Sequence, residues 1–589
     1  MPRRSVRRAI AHVVTACLLV AGAFVAASVR PAGAVTERAE QVVATGSPIT
    51  SVIESVVSIK SPLPWSDGPH PPACDWLSYL RFRDANGPAD YSNADKIFLA
   101  QPGIYEGAGA FDSVARNTIV ASAKLGKHVE FWALDRRSNC LEDHLGVQAG
   151  LAAGGSTTAI DYYYNHKPVN GKTFPGFIAD SQLGWLGNVG IEQTVRDEYA
   201  VMTTALPNQA QRRQKFLCGG HSLGGIVTGF FAEWDFDGNA QTTSDAGYNQ
   251  CGGYFALDTV ISTSLSSLSG MPANDGSGTG GIVAIASALG YSLTQAGLFT
   301  GVVPRSLQLP VVINPETMNL LAIVGLAADL NPDAPTDLTV KAPSDFNVNT
   351  TLQLLFSKDF LTFVSGTPSV RSFNLTNAAV MGGLLDDNSE PLSFLQSSVG
   401  FFKGGPVVDK DFPAPGGLSS VPLLGPLANM IFGHDTKAIP SQPSGPLYGW
   451  LNYNEVGGPN DPKAMDRNGN PFTVATKEIT DIHELARSFA EQPLNFTEDY
   501  FPTKLVTDIF EGTAPQISAK APHLQALAAN PTVTIRAEDG LIAATAAPTN
   551  AVVAPGYNHL DVVTAAPIQN NGKPETSSTT LANFASGLP

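Results

Sequence analysis

Serine, histidine and aspartate side chains can together transfer an acyl group, and this chain places one serine where such chemistry is built. Gly220-His221-Ser222-Leu223-Gly224-Gly225 follows the apolar segment Lys215–Gly219 and opens the apolar run Leu223–Trp234. A serine at a sharp turn between a strand and a helix takes strained backbone angles. Small neighbours let the chain pass closely, and the hydroxyl is pushed clear of the sheet. The following helix aims its first amides at developing negative charge. This context, more than the bare G-x-S-x-G pattern, makes Ser222 the candidate nucleophile.

A serine hydroxyl needs a base. His559, in Gly556-Tyr557-Asn558-His559-Leu560-Asp561, follows a short strand-like segment and precedes a helix-like one. It is the candidate base. His221 adjoins the serine and reads as packing beside it, and His434, His483 and His523 read as surface or insertion histidines. The base in turn needs a carboxylate to fix its tautomer and stabilise its protonated form. Asp539, just beyond the β-branched segment Thr532–Ala537, is the first choice. Asp258, which ends the segment Tyr254–Asp258, and Glu538, next to Asp539, are the alternatives. For an oxyanion hole the amide of Leu223 is the first donor. The second is Ile104, in the loop Gln101-Pro102-Gly103-Ile104-Tyr105, with Tyr105 as its alternate.

The elements that must hold these residues alternate. Strands are expected at Lys96–Ala100, His128–Asp135, Lys215–Gly219 and Tyr254–Asp258, with helices at Ser113–Leu125, Thr194–Leu206 and Leu223–Trp234. Such alternation predicts an α/β fold with a mostly parallel central sheet flanked by helices. From about residue 261 to 529 the alternation is lost in Gly-, Pro-, Ser-, Leu- and Phe-rich sequence. It resumes with strands at Thr532–Ala537 and Val552–Ala554 and a helix from Leu560. The expected organisation is a leader over residues 1–34, a first core portion over 35–260, an inserted cap or lid over 261–529, and a second core portion over 530–589. The uncharged stretch Gly276–Pro304 and the segment Met318–Leu330 are expected to be buried or interfacial cap helices rather than membrane spans.

Arg3, Arg4, Arg7 and Arg8, an apolar run over Ala9–Val29 and Ala32-Gly33-Ala34 read as an export signal cleaved after Ala34, giving a secreted protein. Cys74, Cys140, Cys218 and Cys251 would then remain, enough for two disulfides in any of three connectivities, with Cys218 open to a buried free-thiol reading. The formal net charge of −16 argues against nucleic-acid partners. Asp235, Asp237 and Asn239 begin like a calcium loop, but Ala240 and Ala246 stand where such a loop needs glycine and glutamate, so a polar turn is expected. Asp466-Arg467-Asn468-Gly469-Asn470 reads as turn chemistry as well. Asp135, Arg136, Arg137, Glu142 and Asp143 read as a structural ion-pair network. No cofactor or metal is expected.

These residues resemble the α/β-hydrolase superfamily, and within it esterases and lipases. Gly220–Gly225 looks like a lipase nucleophile elbow, and Gln101-Pro102-Gly103-Ile104 looks like the oxyanion loop, with Pro102 where histidine is usual. Ala537–Ala543 is similar to an acid-bearing loop. The resemblance covers residues 74–260 and 530–589. It implies an α/β-hydrolase fold and hydrolysis of small-molecule or lipid-like esters with apolar acyl groups, with lipid-interface contact through the cap. The same scaffold also hosts peptidases and amidases, and binding proteins that have lost turnover.

Overall fold

Ile97 and Leu99 enter one apolar cluster, while Phe98 and Ala100 enter another. Alternation between two buried faces is what a strand covered on both sides requires. Phe216 and Cys218 part from Leu217 in the same way, and Tyr254 from Phe255. In the computed structural model, which describes residues 37–269, 281–308, 313–341, 346–412 and 437–589, these segments form the centre of a large sheet.

Its strands are β1 (Arg38–Val42), β2 (Val52–Lys60), β3 (Trp76–Asp84), β4 (Ile97–Gln101), β5 (Glu130–Leu134), β6 (Phe216–His221), β7 (Gly253–Leu257), β8 (Thr532–Ala537) and β9 (Val552–Ala554). They lie in the order β1-β2-β3-β5-β4-β6-β7-β8-β9. β1, β2 and β3 pair antiparallel, as do β3 and β5. Every pairing from β5 to β9 is parallel. The protein is therefore mixed α/β with a mostly parallel sheet, as expected. The antiparallel strands β1–β3 are additions that the sequence pattern did not announce.

Helices cover both faces. α1 (Asp112–Lys124) and α4 (Thr576–Gly587) bury Val114, Ala115, Ile119, Leu581 and Ala585 against one face. α2 (Ile191–Ala205) and α3 (Leu223–Glu233) bury Ile191, Val195, Met202, Ile226 and Phe230 against the other. Because β4 to β9 run parallel, the loops that leave their carboxyl ends share one edge, where open α/β sheets place their ligands.

The stretch between β7 and β8 builds a third apolar cluster around the helix Pro315–Leu330, which packs on the helix Ile482–Glu491. That cluster also takes Val147, Ala159, Ile160, Tyr162 and Tyr163 from the segment between β5 and β6. A three-stranded sheet (Asn374–Leu375, Leu447–Asn452, Gly400–Lys403) and a strand pair (Val407–Lys410, Lys437–Pro440) belong to the same stretch. The helix Gly281–Thr300 is interrupted at Gly290, whose φ of 66° is non-helical. Among the described residues no helix is long and apolar enough to cross a membrane. Arg38–Pro589 form one compact unit.

Two disulfides close it, Cys74–Cys140 and Cys218–Cys251. The second joins β6 to the residue two before β7, so the free-thiol reading of Cys218 is replaced by a bridge. The expected export signal lies outside the described residues.

Candidate active site

The turn after β6 shows why its glycines stand where they do. A side chain at Gly224 would put its Cβ 2.1 Å from the Gln101 carbonyl oxygen, and one at Gly220 would put it 2.2 Å from the same atom. At Gly225 the Cβ would meet Thr259 at 2.3 Å. Only hydrogen fits in each place. Ser222, between them, has φ 52° and ψ −121°. Its amide donates to the Leu257 carbonyl at 3.2 Å, and the residue is 5% exposed. Leu223 is the first residue of α3, so its amide lies in the open N-terminal turn of that helix.

The loop after β4 packs directly on this turn. A Cβ at Gly103 would stand 2.9 Å from Ser222 Cβ. The Gly103 amide donates to Glu106 Oε2 at 2.6 Å, which leaves Ile104 as the next amide of the loop. Ile104 is half-buried. Arg136 donates to the carbonyls of Pro102, Gly103 and Glu106 and pairs with Glu498 at 2.5 Å, so the loop is held from behind. Arg137 pairs with Asp197 at 2.5 Å. The arginines of the charged cluster after β5 thus pair with acids outside it, while Asp135 accepts from Asn139, Glu142 from Asn495 and Asp143 from Tyr162, so its members are structural without forming the expected ion-pair network with one another.

His559 follows β9 and is 2% exposed. Its Nδ1 lies 2.6 Å from Oδ2 of Asp258, at the carboxyl end of β7. An ionised carboxylate only accepts, so Nδ1 carries the proton and Nε2 the lone pair. Asp258 is fully buried. Its Oδ1 accepts from the Ala537 amide at 3.1 Å and its Oδ2 from the Leu541 amide at 2.8 Å.

The carboxylate at His559 is therefore Asp258 and not Asp539. Asp539 Oδ2 pairs instead with Lys477 Nζ at 2.5 Å, on a side chain 39% exposed. Glu538 pairs with the same lysine at 3.3 Å and accepts the Gly556 amide at 2.8 Å. The loop carrying Asp539 still reaches this pair, because it wraps Asp258. A Cβ at Gly540 would lie 2.2 Å from Asp258 Oδ2. Asp258 was legible as an aspartate closing the strand that follows α3.

Backbone strain gathers here. Tyr105, Ser222 and Asp258 have φ of 58°, 52° and 41°. Residues other than glycine held in this region cost about 1–3 kcal/mol each and persist where the surroundings over-determine them.

Sequence reasoning missed a second buried imidazole–carboxylate pair. His221 Nδ1 lies 2.6 Å from Glu106 Oε1, and its Nε2 lies 3.0 Å from the His559 carbonyl oxygen. The rings of His221 and His559 are 4.3 Å apart between centroids, tilted by 36°. Burial pushes His559 toward its neutral form, the neighbouring His221 adds to this, and Asp258 opposes it, so His559 lies below the usual histidine range. A carboxylate three residues beyond Gly103 was the only sequence signal for Glu106.

The stretch between β7 and β8, to which Glu498 belongs, makes further contacts with this loop and with the residue before His559. Glu498 N donates to the Tyr105 carbonyl at 2.8 Å, and the rings of Phe501 and Tyr105 lie 5.4 Å apart. Asn558, next to His559, donates to Ser398 Oγ at 2.8 Å. Among the described residues two carboxylate triplets bring ligand oxygens within 4.8 Å of one another, Asp235 with Asp237 and Asp245, and Asp386 with Asp387 and Glu478. In the first, Asp245 accepts from the amides of Phe236 and Asp237 and Asp237 from that of Asn239, which is the turn chemistry expected of it. A scan against protein-family models gives no match to this chain, and neither does a search of curated protein sequences.

Proposed function

We propose that this chain is a secreted serine hydrolase of the α/β-hydrolase fold that cleaves carboxylic esters with apolar acyl groups. The observation that carries the reading is the buried Asp258–His559 hydrogen bond at the sheet edge that also carries the strained Ser222. In this reading the Ser222 hydroxyl oxygen attacks the acyl carbon and its proton passes to His559 Nε2. Asp258 stabilises the imidazolium that forms. The tetrahedral oxyanion rests on the amides of Leu223 and Ile104. Collapse breaks the ester bond, and His559 returns the proton to the departing alcohol. Water then gives a proton to His559 and its oxygen to the acyl carbon. The bond to Ser222 breaks, the serine regains its proton, and the carboxylic acid leaves.

Secretion rests on the leader-like residues 1–34, and the two disulfides fit an oxidising compartment. The stretch between β7 and β8 acts as the cap, supported by its contacts with Tyr105 and Asn558. The test compares the mature chain with Ser222→Ala on p-nitrophenyl esters of increasing acyl length and on peptide anilides. Ester turnover that disappears in the variant is expected. Anilide cleavage without ester cleavage would replace the reading with a peptidase. Absence of both, without fluorophosphonate labelling of Ser222, would point to a binding protein.

A further inference from the structure

The proton count around His221 is fixed by its neighbours. Nε2 faces the His559 carbonyl oxygen at 3.0 Å, and a carbonyl oxygen only accepts, so Nε2 carries hydrogen. Nδ1 faces Glu106 Oε1 at 2.6 Å, a contact that holds one proton. The other oxygen of Glu106 accepts the Gly103 amide at 2.6 Å, which favours the ionised carboxylate. With the shared proton on Nδ1, His221 is an imidazolium, and each acceptor facing its ring receives a hydrogen.

Building on the reading of Ser222 as nucleophile and His559 as base, we infer that Glu106 and His221 are positioning residues. Their ion pair ties the oxyanion loop, the nucleophile turn and the His559 loop into one unit and holds a positive charge against the His559 ring, keeping that ring unprotonated. Each contact has its own task. Glu106 fixes Gly103, whose missing side chain leaves room for Ser222. His221 fixes the backbone of His559 through its carbonyl. Burial alone would push His221 down and Glu106 up, but their mutual attraction outweighs it, and His221 lies above and Glu106 below its usual range.

The charged groups around the two rings are few. Glu106 comes from the loop after β4, Asp258 from the end of β7, and each histidine faces the other. Behind the loop, Arg136 is balanced by Glu498. Asp561, two residues past His559, is occupied by Ser397, Ser398, Thr480 and the Asn558 amide.

The test follows the rate of fluorophosphonate labelling at Ser222 against pH, a readout that needs no knowledge of the substrate. In His221→Gln the positive charge beside His559 is gone. The acid limb of the profile should move upward by about one pH unit, the effect of losing a like charge at this range. In Glu106→Gln both charges of the pair are lost, so the limb should move less, while the plateau rate falls because Gly103 loses its charged acceptor. A wild-type chain that does not label at all overturns the nucleophile assignment itself. A wild-type chain that labels, with a His221→Gln profile lowered but not displaced, overturns the present inference and leaves the nucleophile standing. Should His221→Gln fail to fold, nitrogen-15 NMR of the wild-type imidazoles decides. His221 protonated on both nitrogens at the ordinary histidine midpoint of 6.5 is expected, and a neutral His221 there removes the charge on which the inference depends.

Discussion

Two imidazole–carboxylate pairs stand side by side in this protein, with the same 2.6 Å contact at Nδ1 and both rings buried, yet their protons behave oppositely. His559 is held below the usual histidine range and His221 above it. Burial and the neighbouring cation hold His559 down and the attraction of Glu106 holds His221 up, and the other nitrogen adds to the difference. His221 Nε2 is committed to a carbonyl oxygen, which demands a proton there whatever happens at Nδ1. Among the described residues no protein acceptor holds His559 Nε2, so that nitrogen is available to take a proton. A carboxylate at Nδ1 thus leaves the far nitrogen free or commits it to a proton according to what that nitrogen meets.

The sharpest way to break this comparison is to remove each carboxylate in turn. Asp258→Asn keeps the shape but reverses the donor at His559 Nδ1, and kcat should fall by about a thousand- to ten-thousand-fold, as when a triad acid loses its charge. Glu106→Gln removes one charge-assisted hydrogen bond of the supporting pair and should cost about ten- to a hundred-fold. Equal losses measured on one ester substrate would mean that the two pairs share one role.

Stability separates the pairs along a second axis. The folded state raises the affinity of His221 for its proton, so its contribution is complete below the ordinary histidine value of 6.5 and fades as pH rises through the folded value. The folded state lowers that of Glu106, so its contribution is complete above the ordinary value of 4.5 and fades as pH falls through the folded value. The pair therefore stabilises most between 4.5 and 6.5. Breaking a buried pair by removing one partner costs about 3–5 kcal/mol. Urea unfolding of Glu106→Gln beside the wild type should show its largest gap in that window. A gap independent of pH from 4 to 9 would argue against an ionised pair.

Where the sequence was transparent, one rule sufficed. Ile97–Ala100, Phe216–Gly219 and Tyr254–Leu257 are apolar throughout and bounded by turns, and β4, β6 and β7 lie there with ends shifted by a residue or two. Ser222 was readable for the same reason, since its turn is forced by glycines whose replacement would strike Gln101. β2 and β3 escaped because their inward positions include charges. Glu54 and Arg81 are buried, with Glu54 paired to Arg116 and Arg81 to Glu130, and such pairs erase the apolar alternation by which a strand is recognised. The third apolar cluster escaped because its parts come from both sides of the presumed boundary near residue 261. The carboxylate that meets His559 was harder to read for a physical reason as well. Asp539-Gly540 carries a turn signature after a strand, but the turn exists to bring the Leu541 amide onto Asp258.

Asp539 supplies the smallest expected effect and the most informative control. Asp539→Asn leaves Asp258, His559 and the Leu541 amide in place and removes only one partner of Lys477 at a half-exposed site. An ion pair of this kind contributes about 0–1 kcal/mol. Ester turnover should stay within about two-fold of the wild type, since exposed pairs distant from the reacting atoms couple weakly to them. The melting temperature should fall by no more than a few degrees, and Lys477→Ala should reproduce the pattern. The value of the experiment is its contrast with Asp258→Asn. If Asp539→Asn abolished turnover and Asp258→Asn spared it, Asp539 would be the working acid, and the buried hydrogen bond at His559 would describe a resting arrangement rather than the catalytic one.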